Sequence, residues 1–335
     1  MTLGPGTEVE AALESAASTR RSGRGAVRWL STRLAGLLFV LWAAATLTFF
    51  AIRLIPGDPA QAILGGPGSQ ASAAALAQAR AEYGLDQPLI LQYLGQLGRY
   101  VTGDFGTSYS LHESVVQAIG QQLGGTLVLA VASLAVAWVL ALAVAVFSVR
   151  AGRAAWAVGN GLEIVSAAVP HFWLATVLIL LFSSTLGWLP AINVPGPVGL
   201  VLPVVTLAVP LAGFLGQVMR ESLLNALHSP FVLSARARGE SEVGVLVRHA
   251  LRHAALPAIS LSGWAFGSLV SGAVVVETIF ARPGIGRTLL RAVQERDVPL
   301  VSGIVLVVAL AYCLVTVASE VLDRVADPRL AESPR

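Results

Sequence analysis

No lysine occurs in this 335-residue chain; all 22 basic residues are arginine. A phosphate-binding loop of the G-x-x-x-x-G-K-[ST] kind needs its lysine, so the chain carries no standard one. Cysteine is almost absent as well. Cys313 stands alone, which excludes an intramolecular disulfide and a thiolate metal cage. Charge is the third scarcity: charged residues make up 12% of the chain against 55% hydrophobic, and mean hydropathy is +0.74. A soluble domain carries about twice that charged fraction, so a solvated globular enzyme of this length is excluded. Disorder, which needs low hydrophobicity and high charge, is excluded for the bulk of the chain. A net charge of +3 gives no argument for a nucleic-acid partner.

Long apolar runs fill the space that charge leaves. A helix needs roughly 20 apolar residues to cross the hydrocarbon core. Six stretches have that length: Leu34–Ile52, Thr126–Phe147, Ile164–Leu186, Val198–Val218, Pro257–Val276 and Val298–Ser319. The fold class expected is an all-α polytopic membrane protein with six transmembrane helices. Arginines accumulate on cytoplasmic loops. With the N-terminus inside, the cytoplasmic segments hold 15 arginines and the outer ones 7, so both termini are read as cytoplasmic. The first run is too long for a signal-peptide core and lacks a small-x-small cleavage site, so it reads as a retained anchor. Residues 1–28 read as a disordered cytoplasmic tail, and residues 29–53 as the first transmembrane helix.

Between the spans lie two structured segments. Residues 54–121 form an external cap: a rigid turn at Ile55-Pro56-Gly57-Asp58-Pro59, a helix over Ala71–Tyr83 stopped by Gly84, and a second helix over Leu89–Thr102. That second helix carries Leu91, Leu94, Leu97 and Val101 on one side. Between spans 4 and 5, Ser229 suits an N-cap, Pro230 the first helical position and Gly239 the stop. The short helix between them has Arg236 and Arg238 near its end, where cations complement the dipole. A second helix is expected at about Ser241–Leu256, with Val243, Leu246, Val247, Ala250, Leu251 and Ala254 on one face. The short helix is either an amphipathic element on the lipid surface or a docking element for a soluble protein.

Within the spans, Pro170, Pro203 and Pro210 each remove a backbone donor and bend a helix. His171 is an ionisable group inside span 3, a functional candidate by default, but it follows Pro170, which frees a carbonyl it could satisfy, and the structural role is the favoured one. Glu277 sits at the outer end of span 5, able to bind an arginine of the external loops or to face a substrate path. Gly263, Gly267 and Ser271 make a small-residue face for close helix approach. His249 and His253 have metal-ligand spacing, but no third ligand accompanies them, and no metal site is expected.

Taken in order, several motifs resemble the permease subunit of bacterial peptide-type ABC importers, the dipeptide, oligopeptide and nickel group. They are Arg53-Leu54-Ile55-Pro56-Gly57-Asp58-Pro59-Ala60, Gly84-Leu85-Asp86-Gln87-Pro88-Leu89 with Gln92-Tyr93, Gly103-Asp104-Phe105-Gly106-Thr107-Ser108, and Ala235-Arg236-Ala237-Arg238-Gly239. After these come His249-Ala250-Leu251-Arg252, Leu256-Pro257, Val276-Glu277 with Phe280, Pro283-Gly284-Ile285-Gly286, Arg296-Asp297 and Asp327-Pro328-Arg329. The set runs from about residue 29 to 329. There are departures: the family has an aromatic followed by Val-Arg-Thr, whereas here Phe231-Val232 is followed by Leu233-Ser234, and Asn225, Thr316, Glu320 and Asp323 replace commoner residues.

The resemblance implies a type I importer permease fold. The transmembrane type-1 domain would lie at 122–323, a coupling helix at about 230–239 and a cytoplasmic C-terminal tail at 324–335. It implies no enzymatic activity, and no cofactor in this chain, with ATP and Mg bound by partner ATPase subunits. The implied partners are a second homologous permease, two ABC ATPase subunits, an external substrate-binding protein and the bilayer of the bacterial inner membrane. Phe231, Val232, Ser234, Ala235, Arg236, Ala237, Arg238 and Gly239 would dock the ATPase. Pro170, His171, Pro210 and Glu277 are candidate pore or gating residues. Peptides are the expected cargo; nickel, a metal chelate or opine, or a glutathione-like solute is the alternative. A lone secondary transporter or channel would need coupling groups or a repeat that the spans lack, and a membrane enzyme would need a partner for His171.

Overall fold

Apolar runs at membrane length become helices because lipid offers the backbone no other hydrogen-bond partner. A computed structural model describes residues 5–54, 58–65, 70–150 and 152–326, with side chains described between 29 and 321. Ile55-Pro56-Gly57 and the Asp327-Pro328-Arg329 motif lie outside the described residues. The order is α1 (Pro5–Leu54), α2 (Pro59–Ile63), α3 (Ala73–Glu82), α4 (Leu89–Val101), α5 (Val115–Arg150), α6 (Gly152–Ala168) and α7 (His171–Leu178), which continues as a π-helical turn (Ile179–Thr185). Then come α8 (Val198–Leu227), α9 (Pro230–Ala237), α10 (Glu242–Gly244), a second π-helical turn (Val245–Ala250), α11 (Leu251–Ile279), α12 (Ile285–Gln294) and α13 (Val298–Ala326). No strand occurs among the described residues; Thr107 and Ser114 form one isolated antiparallel bridge.

Five helices are long and apolar enough to cross a membrane, and α6 with α7 makes a sixth crossing only as a pair bent by 105°. Span 3, expected as one kinked helix, is instead two helices broken at Pro170. Proline disfavours helical backbone in the residue before it, so α6 stops short of Val169 and Pro170 becomes the N-cap of α7. The prolines of α8 do not break it, and α11 runs through Pro257, the expected entry to span 5. Helix α1 likewise continues back to Pro5, through residues expected as a tail. That stretch is rich in Ala, Glu and Arg, good helix formers next to an already nucleated helix.

α8 is the axis of the bundle. Leu207 and Leu215 are fully buried there, packed with Leu129 and Ala137 of α5 and Leu269 and Ala273 of α11. Glycines set how closely α6 and α13 approach their partners. A Cβ on Gly213 would stand 2.6 Å from the Glu163 carbonyl oxygen. On α11, Gly267 lies under the Tyr312 ring of α13, and Gly263 under Ser319. The small-residue face of span 5 therefore serves a contact within the chain.

Contacts sort the helix ends onto two sides. On one, Leu223 and Ala226 of α8 pack on Leu246, Ala250 and Ala254. Ser148 of α5 lies against Gly159 of α6, and Arg33 pairs with Glu320 at 2.5 Å. On the other lie residues 58–65 and 70–114, the start of α5 and the turn after α11. The membrane ends of α1 and α13 thus share the α9 side, as an even number of crossings requires.

The cap side supplies a paired test of close packing. A Cβ on Gly125 would meet the Pro283 carbonyl oxygen at 2.7 Å, whereas Gly124 has open space. Gly125→Ala is expected to lower stability by about 1–3 kcal/mol. Gly124→Ala is expected to be neutral or to gain up to about 1 kcal/mol of helix propensity. Thermal midpoints of the two variants in detergent check this; equal midpoints would contradict the contact.

Candidate functional site

Two helices and a turn project from the α9 side. Ser229 has the extended backbone of an N-cap and Pro230 stands at the first helical position, as the sequence requires. Gly239 ends the unit with φ +81°, a conformation that glycine adopts without steric cost. Val232 and Ala235 are fully buried against Val245 and Leu227. They hold α9 onto the chain and cannot themselves form a contact surface for a partner. Phe231, Leu233, Ser234, Ala237 and Arg238 are exposed, Leu233 to 58%. Leu233 belongs to the free face, although the sequence motif did not single it out.

Ion pairs set the angle between α9 and the helix that follows. Arg236 donates two hydrogen bonds to the Glu242 carboxylate, both at 3.0 Å. Glu240 receives His249 at 2.9 Å and has Arg248 at 3.7 Å. The two histidines with metal-like spacing are used separately, His249 on Glu240 and His253 tilted against the Phe231 ring with centroids 4.6 Å apart. No group of three or more metal-ligating side chains occurs among the described residues.

The buried face of the helix after α9 matches the expected one at Leu246, Ala250 and Ala254 and departs from it at Val243 and Val247. Val245, Leu246, Ala250 and Ala254 are buried, while Val243 and Val247 are about half exposed. The π-helical turn over Val245–Ala250 is the cause. Its bonds span five residues rather than four, Leu251 N donating to Leu246 O, so each residue turns by less and the phase falls behind the 3.6-residue reading.

Between α6 and α8, two turns before the α9 end of α8, lies a polar clamp that the sequence reading missed. Glu163 of α6 is 2% exposed and accepts from Arg220 Nε of α8 at 2.7 Å. Arg220 Nη2 donates to Asn160 at 2.7 Å, and its guanidinium lies 5.7 Å from the Trp156 ring centroid. The usable signal was an acidic residue bordering an apolar run, which must find a cation if it is buried.

The candidate pore and gating residues fall in three places. Pro170 forms the α6–α7 break. His171, first residue of α7, is half-buried with its ring against Gly272 of α11, beside Leu207 of α8; it makes no hydrogen bond to a described residue. Pro210 is buried within α8, one turn beyond Leu207. Glu277 is fully buried on the cap side. It accepts from the Thr126 hydroxyl at 2.6 Å and the Arg287 amide at 3.1 Å, and Thr126 in turn accepts from the Ile285 amide at 2.8 Å. Gly284 and Gly286 leave the room its carboxylate occupies. Of the two options the sequence left open, an arginine does supply a partner, but through its backbone.

Asp297 makes a matching knot next to it. Its carboxylate accepts from the Ser108 hydroxyl at 2.5 Å, the Ser110 amide at 3.0 Å and the Ser110 hydroxyl at 2.9 Å. It also caps α13 through the Leu300 amide at 3.1 Å. Burial and the nearby Asp297 charge push the Tyr109 phenol up to about 12, so it stays neutral.

Known proteins are similar to this chain in sequence over nearly its whole length. The model of the family described as binding-protein-dependent transport system inner membrane component matches residues 137–332. The model of that component's N-terminal part matches residues 26–130. A Brucella suis protein named as a peptide transport system permease is 36% identical over 308 residues, covering 89% of this chain and 97% of its own. The glutathione transport system permease protein of Salmonella choleraesuis is 33% identical over 306 residues, covering 91% and 99%. A solved amino acid ABC transporter, crystallised with histidines, is 17% identical. The match covers 64% of this chain and 94% of that one at a TM-score of 0.47, a distant likeness that adds no argument. The chain is a multi-pass membrane protein and belongs to the family of binding-protein-dependent ABC transport permeases.

Proposed function

We propose that the chain forms half of the translocation pore of an importer for di- and oligopeptides. Its neighbours would be a second homologous permease, two ATPase subunits that bind ATP and Mg, and an external binding protein that delivers the solute. The reading is carried by the identity of about one third with permeases named for peptide and glutathione transport, over nearly their full lengths. Glutathione is itself a tripeptide, so both names point to one chemical class. The α9 unit supports the coupling part of the proposal: a short helix braced from behind, with an apolar and cationic outer face. The chain supplies a path and no ATP site or catalytic group of its own. Pro170 with His171 would be the gating element, since the break gives α6 and α7 separate directions. The membrane would be the bacterial inner membrane, with the α9 side, residues 1–28 and residues 324–335 cytoplasmic and residues 54–121 outside.

Reconstitution tests the function. Vesicles holding the chain with its second permease, its ATPases and the binding protein are expected to accumulate labelled di- and tripeptides only with ATP. The isolated chain is expected to hydrolyse none. Accumulation by the chain alone on an ion gradient would overturn the reading. Reporters test the orientation: one fused at residue 110 is expected outside and one at 240 inside, and the reverse pattern would refute it.

A further inference from the structure

Helix α4 is inside out by the standards of a soluble cap. Its polar edge faces the protein. Gln92 accepts from Arg53 Nη2 at 2.7 Å and donates to the Leu85 and Gln87 carbonyls at 3.2 and 2.8 Å. The Tyr93 hydroxyl meets Thr46 Oγ1 at 2.8 Å. Gln96, the buried residue of the helix, donates to Ser302 of α13 at 3.4 Å and to the Tyr100 hydroxyl. The leucine side points away: Ile90 is 60%, Leu94 54% and Val101 89% exposed.

Depth identifies what meets that side. The membrane part of α1, Trp29–Leu54, has 26 residues, about 39 Å of helix, against a hydrocarbon core of about 30 Å. Thr46 lies about 12 Å below its cap-side end, and Arg53 lies at that end. Held to α1 at Gln92 and Tyr93 and to the start of α13 at Gln96, α4 crosses the cap-side ends of two spans at the boundary between hydrocarbon and headgroups. Phe50 continues the apolar surface from α1 to α4. It is 45% exposed and its ring lies 5.9 Å from Tyr93. An amphipathic helix in this position buries its apolar face about 5–10 Å into the interface.

We propose that α4 lies in the lipid interface of the cap-side leaflet, its Ile90–Leu94–Val101 face in contact with acyl chains, and that it anchors the external segment to the membrane. A soluble binding protein or a second permease on this face are the competing occupants. The chain is tested within the complete importer in phosphatidylcholine–phosphatidylglycerol vesicles. Single cysteines replace Ile90, Leu94, Val101 or Arg99 in a Cys313→Ser background, each labelled with the NBD fluorophore. Doxyl-labelled lipid is expected to quench at Ile90→Cys, Leu94→Cys and Val101→Cys about threefold more than aqueous iodide does, with the order reversed at Arg99→Cys. Retained ATP-driven activity shows that each labelled importer has folded, and any two of the three apolar positions suffice. Iodide quenching that dominates at Leu94 and Val101 would overturn the proposal in favour of a soluble partner. Quenching by neither agent would overturn it in favour of burial against another chain.

Discussion

Placing arginine at Leu233 and glutamate at Ala237 is expected to weaken retention of the ATPase subunits by about 30-fold or more, while the chain still inserts and stays folded. The expectation follows from what α9 leaves exposed. Its inner residues, Val232 and Ala235, are spent on Val245 and Leu227, so a partner meets Phe231, Leu233, Ser234, Ala237 and Arg238. A helix this short offers few anchors, and a central apolar anchor in an interface is worth at least about 2 kcal/mol, or about 30-fold. Val232→Ala supplies the contrast. It removes two buried methyl groups, about 1–2 kcal/mol, and is expected to lower the thermal midpoint more than it lowers ATPase retention. Arg236→Ala breaks an exposed pair worth at most about 1 kcal/mol. Copurification of the ATPase and thermal midpoints, measured on all three variants, separate the roles. Full retention with Leu233 and Ala237 both replaced would remove α9 as the docking element.

Asp297→Ala is expected to cost about 3–5 kcal/mol and to free the external segment from α13. The carboxylate is fully buried and serves two hydroxyls and two amides on two elements. Its removal leaves those donors without their acceptor; the Ser108 hydroxyl and Leu300 amide are buried, Ser110 only in part, and each buried unsatisfied donor costs about 1–3 kcal/mol. Asp297→Asn keeps the shape but aims its own N–H groups at donors, so it is expected to recover only part of the loss. Limited proteolysis across residues 103–114 reads the release directly, and the thermal midpoint reads the cost. Wild-type resistance and midpoint in Asp297→Ala would show that the knot holds nothing together.

The spans and the short helix with its serine, proline and glycine signals were legible because each rests on local chemistry. What was misread rests on context. The leucines of α4 do share a face, as their spacing says. Periodicity reports which residues stand together and not which medium meets them, and beside a bilayer the apolar side turns outward. The helix after α9 was displaced in phase by a π-helical turn, which no residue type announces. Pro170 broke its span where Pro203, Pro210 and Pro257 did not, because neighbouring packing decides whether a helix can carry the lost bond. Glu163 with Arg220, and Asp297 with Ser108, join residues far apart in sequence, and their pairing exists only once the helices are stacked.

The unbroken helix from Glu242 to Ile279 has a mechanical consequence. It is clasped to α9 at Val245, crossed by α13 at Gly263 and Gly267, and knotted at Glu277. A rod gripped near its middle is a lever. The arm from Val245 to Gly263 is about 27 Å and the arm from Gly267 to Glu277 about 15 Å. Were the α13 crossing the fulcrum, a push on α9 would move the far end in the opposite sense by roughly half the distance, against the α8 packing and the Glu277 knot.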